Sequence, residues 1–213
     1  MVTFLIVRHG FSQTNKAKIF AGVLNPTLDE QGIVQGKLAC DYIRKNYKVD
    51  AIYSSDLIRA VDTVKTLSEA INIPIIKSKA FREMNCGIWE GLHIDVLLSK
   101  YGEQFKRWSE IDDTAIPEGG ESWLETSERV YNEFLRVASI NDNKTVVVAT
   151  HGVAIRAFRG KYLGIPMNEW KDKLPYAPNA SITVVEFENG KFSEKAIIDE
   201  YLGELKTEMP KGI

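Results

Sequence analysis

Short apolar runs alternate with longer amphipathic stretches along this chain. The runs are rich in β-branched residues and mostly free of charge, which is typical of strands that are buried on both faces. They lie at residues 3–7, 49–53, 73–76 and 144–149. Pro74 falls in the third run and favours either a strand at the edge of a sheet or the start of a strand, because proline lacks the backbone N–H that a central strand uses.

The amphipathic stretches carry apolar side chains at helical spacing and predict helices between these strands. The helices are expected at about 28–45, 57–71, 122–138 and 153–163, with one or two short helices over 93–110. Thr27–Glu30 and Ser122–Glu125 each have the pattern of a capping box, whose side chains satisfy free amides at a helix start. Ser55 or Asp56 is expected to cap the helix that begins at residue 57.

The first predicted helix has a candidate buried stripe, and the segment before it does not have a helical pattern. The stripe consists of Ile33, Val34, Leu38, Tyr42 and Ile43. Residues 8–26 are rich in Gly, Ser and Asn, so we expect them to be irregular.

The chain closes with a predicted β-hairpin. Residues 180–187 alternate in polarity, Asn189-Gly190 is a strong turn signal, and residues 192–198 form the returning strand. Strands and helices alternate before the hairpin. This order predicts an α/β fold: a three-layer sandwich with a mostly parallel central sheet, helices on both faces and a C-terminal antiparallel hairpin.

The domain organisation is expected to be simple. The chain has 213 residues, which suits one domain, and it contains no linker-like or low-complexity stretch. We therefore expect a single domain over 1–213. Within it, residues 84–121 are predicted to form a lid or specificity insertion, and the polar residues 203–213 a mobile tail.

Two of the three histidines directly follow a predicted strand and precede a glycine. They are His9, which follows Arg8, and His151. The carboxyl ends of parallel strands meet at one edge of a sheet, where such folds bind ligands. The turn after the second strand brings Arg59 to the same edge. We therefore expect these side chains to converge, with the two histidines facing one another across a phosphate.

Two arginines and two histidines at one sheet edge favour an anionic ligand. Arginine offers a planar fork of donors that matches phosphate oxygens, and helix N-termini add free amides. A neutral imidazole can attack phosphorus while the cations stabilise charge on the transferred group. The leaving oxygen then needs a proton from a carboxylic acid. Glu83 is the first candidate because its loop follows the third strand, and Glu90 and Glu121 are alternatives.

Composition and charge limit the other functions open to the chain. A formal net charge of −2 excludes a broad basic surface for nucleic acid. Cys40 and Cys86 lack CxxC spacing, which indicates a reducing compartment and no disulfide framework. The first apolar run ends at Arg8, so we expect neither a signal peptide nor a membrane span. We therefore expect a cytoplasmic protein whose partner is a small molecule. The edge strand at the hairpin could also pair with a second copy of the chain, so a homo-oligomer is possible.

Ordered blocks of residues resemble the signature of the histidine phosphatase superfamily, also called the phosphoglycerate mutase-like superfamily. The blocks are Arg8-His9-Gly10 with Ser12 and Asn15, Tyr53 to Ala60 with Thr63, Arg82-Glu83 with Gly87 and Trp89-Glu90-Gly91, Gly119 to Ser122, Thr150-His151-Gly152, and Asn179-Ala180-Ser181. Their order along the chain is the order expected in the family. The resemblance covers residues 3–187 and implies the phosphoglycerate mutase-like fold.

The resemblance implies a catalytic role for each residue of the predicted site. His9 resembles the phosphorylated nucleophile. Arg8, Arg59 and His151 resemble the phosphate pocket. Glu83 resembles the acid that protonates the leaving group and later, as a base, activates water.

Ser12, Asn15 and Gly152 match family positions that contact phosphate or substrate, and the family implies neither a metal nor an organic cofactor. Within the family, the chain resembles phosphatases more than mutases. The interval between residues 91 and 119 is short and lacks the adjacent arginines of mutases. Val153 follows Gly152, where mutases tend to have Asn.

The predicted function is metal-independent hydrolysis of a small phosphate monoester through a phosphohistidine at His9. The pattern is most similar to broad-specificity phosphatases and alpha-ribazole phosphatase. One alternative is a phosphoglycerate mutase, which would use the same residues but pass the phosphoryl group to a second hydroxyl. Two others are a non-catalytic phosphate-binding regulatory module and a metal hydrolase. The histidines of this chain lack the HxH or HxxxH spacing that would favour a metal hydrolase.

Other polar and aromatic residues have ordinary structural interpretations. Trp108 is the tryptophan that we expect to reach the substrate, Cys86 is expected to be a buried, inert thiol, and His93 to start a helix. Four cations are expected on the surface: Arg82, Lys106, Arg107 and Arg156.

Overall fold

The computed structural model describes residues 1–207, and within them the strands form one six-stranded sheet. The strands are β1 (Val2–Arg8), β2 (Ala51–Ser55), β3 (Ile75–Ser78), β4 (Thr145–Thr150), β5 (Ile182–Glu188) and β6 (Lys191–Ile198). Their order across the sheet is β3-β2-β4-β1-β5-β6. The first four strands of that order run parallel, whereas β5 is antiparallel to β1 and β6. The predicted α/β fold, with the third strand at an edge and a C-terminal hairpin, is confirmed.

Helices connect the strands on both sides of the sheet. The α-helices of residues 1–207 are α1 (Gln13–Lys16), α2 (Glu30–Asn46), α3 (Ile58–Ile71), α4 (Ile94–Ser109), α5 (Trp123–Ser139), α6 (Gly152–Tyr162) and α7 (Trp170–Lys173). Short 3-10 turns lie at Lys79–Phe81, Gly87–Trp89, Met167–Glu169 and Glu200–Leu205. None of the helices in this part of the chain is both long and apolar enough to cross a bilayer.

The sheet is covered on both faces, which explains why its central strands are almost continuously apolar. Successive side chains of a strand point to opposite faces. On one face Phe4 and Ile6 of β1 pack with α5 and α6. On the other face Leu5 and Val7 pack with α2 and α3.

Phe134 of α5 ties the helical layer to the sheet. Its ring stacks on Phe158 of α6 with centroids 4.0 Å apart, and it meets Phe4 of β1 edge-on at 5.2 Å. Close packing of this kind resists displacement, since any shift opens a void or creates overlap. The core therefore fixes the position of α6 relative to β1.

The N-cap residues predicted for two helices were wrong. The cap of α2 is Asp29, whose carboxylate accepts from the Gly32 amide at 2.9 Å, rather than Thr27. Neither Ser55 nor Asp56 is the N-cap of α3; this position is Leu57, which has no capping side chain. The Ser122 capping box is confirmed.

The predicted buried stripe of α2 was also partly wrong. Ile33 and Val34 are 47% and 45% exposed, whereas Gln35 and Gly36 are buried. A Cβ on Gly36 would lie 3.0 Å from the Thr63 carbonyl oxygen, so α2 lies very close to α3. Small residues, not the largest apolar ones, therefore mark the face of α2 that meets α3.

Residues 8–26, predicted to be irregular, contain the short helix α1, and residues 93–110 form the single helix α4, which is kinked at Tyr101. The segment predicted as a lid, 84–121, encloses its own apolar cluster. Met84, Trp89 and Phe105 are buried there together with side chains of α6 and α7. Its role as a lid or specificity insertion remains a prediction.

The segment predicted to be a mobile tail is held against the fold where it is described. The Leu205 carbonyl accepts from Gln31 and Gln35 side chains, and the Thr207 hydroxyl donates to Asn179 Oδ1 at 3.0 Å. That residues 203–213 form a mobile tail remains a prediction. The rest of the predicted tail, 208–213, lies outside the described residues.

Candidate active site

The parallel register of β1 and β4 places the two histidines side by side. Arg8 pairs with Thr150 across the two strands, and the His9 amide donates to the Thr150 carbonyl at 2.9 Å. The His9 and His151 ring centroids are 5.1 Å apart, with planes tilted by 59°. This is the separation of aromatic rings in contact. That the two rings face one another across a phosphate remains a prediction.

The tautomer of His9 follows from a hydrogen bond within its own turn. Its Nδ1 lies 2.7 Å from the Gly10 carbonyl oxygen. A carbonyl can only accept, so Nδ1 carries the proton and donates it to this bond. The other ring nitrogen, Nε2, keeps its lone pair. His9 also lines a cavity, which makes Nε2 available as a nucleophile.

The electrostatic environment keeps both imidazoles neutral. Burial lowers the pKa of His9 well below its ordinary value, and the positive charges of Arg59 and Arg8 lower it further. The pKa of His151 is lowered by the same burial, by Arg59 and by His9. Neither ring nitrogen of His151 has a hydrogen-bond partner among residues 1–207.

The two arginines are buried beside the histidines and are anchored by backbone carbonyls. Arg8 Nη1 donates to the Ala177 carbonyl at 2.6 Å. Arg59 donates to the carbonyls of Leu24 and Gly22 at 2.7 and 2.8 Å. Burial lowers the pKa of Arg59 to about 10, which still leaves it charged near neutral pH. Two fixed positive charges therefore lie next to a neutral imidazole.

Glu83 lies at the N-terminus of α6. Its carboxylate accepts from the amides of Val153 and Ala154 at 3.1 and 3.0 Å, and from the Met84 amide at 3.0 Å. The first amides of a helix have no partner within it and carry a partial positive charge. The carboxylate is thus held in one place on the wall of the cavity that His9 also lines.

Arg129 of α5 fixes the loop that carries Glu83. Its guanidinium donates to the backbone carbonyls of Ala80, Arg82 and Glu83 and forms a bidentate pair with Glu121. Glu121, the alternative acid, is therefore committed to this pair. Arg129 has no signal in the sequence, because most of its partners are main-chain atoms distant along the chain.

Glu90, the other alternative acid, holds two loops together. Its Oε1 accepts from the Val23 and Cys86 amides at 2.8 and 3.0 Å. Gly22 lies so close that a Cβ there would be 2.1 Å from the same oxygen, and its φ of +47° is in the left-handed region. Glu90 therefore supports the loop whose carbonyls anchor Arg59.

Three residues that match substrate-contacting positions line the same cavity: Ser12, Asn15 and Gly152. Ser12 and Asn15 form a capping box at α1, in which Asn15 Oδ1 accepts from Ser12. The Asn15 oxygen is thus occupied, which leaves its NH₂ group as the donor for a ligand. A Cβ on Gly152 would lie 3.3 Å from the Arg8 guanidinium carbon, so this glycine admits the arginine.

The cavity has a volume of about 640 Å³ and combines a cationic end with an apolar wall. Apart from the residues already named, its lining includes Lys16, Lys18, Ile19, Phe20, Ile94, Leu98, Phe105, Trp108 and Tyr176. Cys86 also reaches it but is buried, and burial raises the pKa of its thiol well above the ordinary value. Among residues 1–207, no three His, Cys, Asp or Glu side chains are grouped so as to hold a metal ion.

Comparisons with known proteins agree with this geometry. The family model of the histidine phosphatase superfamily (branch 1) matches residues 4–200. The chain belongs to the histidine phosphatase superfamily. It is 34% identical to phosphoserine phosphatase 1 of Hydrogenobacter thermophilus over the full length of both chains. It is 33% identical to phosphoglycerate mutase of Schizosaccharomyces pombe, over 92% of this chain and 95% of the mutase.

The fold is that of solved structures in the same superfamily. YhfR of Bacillus stearothermophilus superposes with a TM-score of 0.86 at 23% identity, over 91% of this chain and 95% of that one. The superfamily and its phosphatase members confirm the prediction of a phosphomonoesterase that acts on small metabolites. The mutase alternative is weaker.

Sequence reasoning missed residues of this histidine phosphatase that act through the backbone or through packing. Asn179 belongs to the family blocks, but its role was not predicted: its Nδ2 donates to the His9 carbonyl at 2.9 Å, and Thr207 in turn binds its side chain. Arg156, predicted to lie on the surface, is buried and covers the ring of Tyr176. This contact has no signal in the sequence, because the aromatic partner of Arg156 lies in a later loop.

We predict that His9 and His151 lose their charge at a pH below that of an ordinary histidine, because burial and the neighbouring arginines lower both pKa values. NMR of the imidazole Cε1–H groups in phosphate-free buffer should show both midpoints well below 6.5. A midpoint at or above 6.5 for either ring would contradict the account. Adding phosphate should raise both values, because a bound anion favours the charged imidazole.

Proposed function

We propose that this chain hydrolyses small phosphate monoesters that carry a carboxylate, with His9 as the nucleophile. The observation that carries the proposal is the environment of His9. Its imidazole is neutral, its Nδ1 proton is engaged, and its Nε2 is free to attack beside Arg8 and Arg59. Glu83 lines the same cavity and supplies the acid.

The reaction has two steps. First, Nε2 of His9 attacks phosphorus, the bond from phosphorus to the ester oxygen breaks, and Glu83 gives its proton to the leaving oxygen. Then the Glu83 carboxylate takes a proton from water as the water oxygen attacks phosphorus. The bond from phosphorus to Nε2 breaks, which returns neutral His9 and inorganic phosphate. Arg8 and Arg59 stabilise the negative charge of the phosphoryl oxygens in both steps.

The charge of the cavity supports a second anionic group on the substrate. Among residues 1–207, four cationic side chains line the cavity, Arg8, Arg59, Lys16 and Lys18, against one carboxyl group, that of Glu83. Two arginines match a phosphate dianion, which leaves the lysines for a further anion. Phosphoserine and phosphoglycerate, named for two relatives, both carry a carboxylate.

Lys18 is the stronger candidate for that carboxylate. Its φ of +53° is unusual for a residue with a side chain, and its backbone is held there by bonds to Asn15 and Ile94. Lys16 lies 3.6 Å from Asp29, whereas Lys18 has no ion pair among residues 1–207. Held strain beside a cavity is typical of functional positions.

The two buried cysteines, Cys40 and Cys86, are unpaired, which supports a reducing compartment such as the cytoplasm.

We predict that His9→Ala lowers the turnover of p-nitrophenyl phosphate by about a thousandfold or more, because the nucleophile is removed. The assay contains a chelator and no added metal. His93→Asn, which keeps a capping side chain at the start of α4, is the control and should retain activity. Full turnover by His9→Ala would exclude this mechanism. Isomerisation of 3-phosphoglycerate faster than phosphate release would favour the mutase.

We further predict that Lys18→Met weakens the preference of the enzyme for substrates that carry a carboxylate. The measurement is kcat/KM for O-phosphoserine divided by kcat/KM for O-phosphoethanolamine, which differ only in the carboxylate. The ratio should fall about fivefold, the value of one weakly screened ion pair. Lys48→Met, which removes an exposed lysine outside the cavity, is the matched control. An unchanged ratio for Lys18→Met would remove Lys18 from substrate recognition and leave the hydrolysis mechanism intact.

A further inference from the structure

Tyr176 lies near Arg8 at the cationic end of the cavity, in the loop between α7 and β5. It lines the cavity and is only partly buried there. A Cβ on Gly152 would lie 3.3 Å from the Arg8 guanidinium and 3.4 Å from Tyr176 Cδ1. The tyrosine ring and the arginine therefore lie side by side, separated only by the space that Gly152 leaves.

The ring of Tyr176 is held in place from two directions. The Arg156 guanidinium lies 3.4 Å from the ring centroid, the geometry of a close cation–π contact. Arg156 is buried and forms no ion pair with an acid among residues 1–207. In the next residue of the loop, the Ala177 carbonyl accepts from Arg8 at 2.6 Å. The loop is thus tied to a residue of the predicted phosphate pocket.

The hydroxyl of Tyr176 is an available hydrogen-bond donor. No hydrogen-bond partner is present for it among residues 1–207, and its oxygen is not one of the fully buried atoms that lack a partner, so a ligand can reach it. Burial raises the pKa of Tyr176 to about 12, and the negative charge of Glu83 contributes to the rise. The hydroxyl therefore keeps its proton at neutral pH. Packing on Arg156 would need only the ring, which phenylalanine would also supply.

We propose that Tyr176 is a further catalytic residue, whose hydroxyl donates a hydrogen bond to an oxygen of the transferred phosphoryl group beside Arg8. The inference rests on the proposed function. A fixed donor acts most strongly where negative charge accumulates during transfer. Because the donor is neutral, it adds to the stabilisation of that charge without further lowering the pKa of the nearby His9. No bond to Tyr176 is formed or broken.

The test is Tyr176→Phe, which keeps the ring and its contact with Arg156. The expected result is a fall in kcat/KM for p-nitrophenyl phosphate of about 10- to 100-fold, the effect of losing one donor to a charged group. Affinity for vanadate, which mimics the five-coordinate phosphoryl group, should fall in parallel in a direct calorimetric titration. The melting temperature should stay at that of the unchanged protein, since the packing is retained.

Tyr131→Phe is the matched control. Tyr131 also has a cation over its ring, Lys161 at 5.2 Å, but it does not line the cavity. It should keep both kcat/KM and vanadate affinity. If Tyr176→Phe also keeps both, the proposal is overturned while the hydrolysis mechanism stands. If the unchanged protein does not turn over phosphate esters, the proposed function fails, and vanadate affinity still decides whether Tyr176 binds a phosphoryl-like anion.

Discussion

The parallel pairing of β1 with β4 is the constraint on which the site depends. It brings Arg8 opposite Thr150 and joins the His9 amide to the Thr150 carbonyl by a hydrogen bond. His9 and His151, which are far apart in sequence, therefore lie next to each other at the same edge of the sheet. α6 then begins at Gly152, directly after His151, and its first amides fix the carboxylate of Glu83. A shift in register by one residue would reverse the faces of β1 and displace the nucleophile.

Electrostatics and desolvation act together at this sheet edge. Burying two arginines is costly, and hydrogen bonds to backbone carbonyls compensate part of that cost. Arg59 forms no ion pair with a carboxylate among residues 1–207, so its positive charge remains available to an anion. The same charge, added to burial, keeps His9 unprotonated. One arrangement therefore attracts phosphate and maintains the nucleophile in its reactive form.

Sequence could predict the parts of this structure that depend on local pattern. The strands, the Ser122 capping box and the Asn189-Gly190 turn are each encoded within a few residues, and the ends of parallel strands indicated where Arg8, His9 and His151 converge. The α2 contact face was missed because Gly36 and its neighbours pack through small size rather than hydrophobicity. Arg129 and Tyr176 were missed because only the tertiary fold brings Arg129 close to backbone carbonyls and Tyr176 close to the Arg156 guanidinium.

The central claim is that phosphate passes through His9, and trapping the intermediate tests it most directly. In Glu83→Gln, p-nitrophenyl phosphate needs no proton on its leaving oxygen, whereas the second step lacks its base, so the phosphorylated protein should accumulate. Mass spectrometry after an alkaline quench, in which phosphohistidine survives, should find one phosphoryl group on the peptide that contains His9, labile to acid. Turnover without any such adduct, or a phosphoryl group on another residue, would contradict the account.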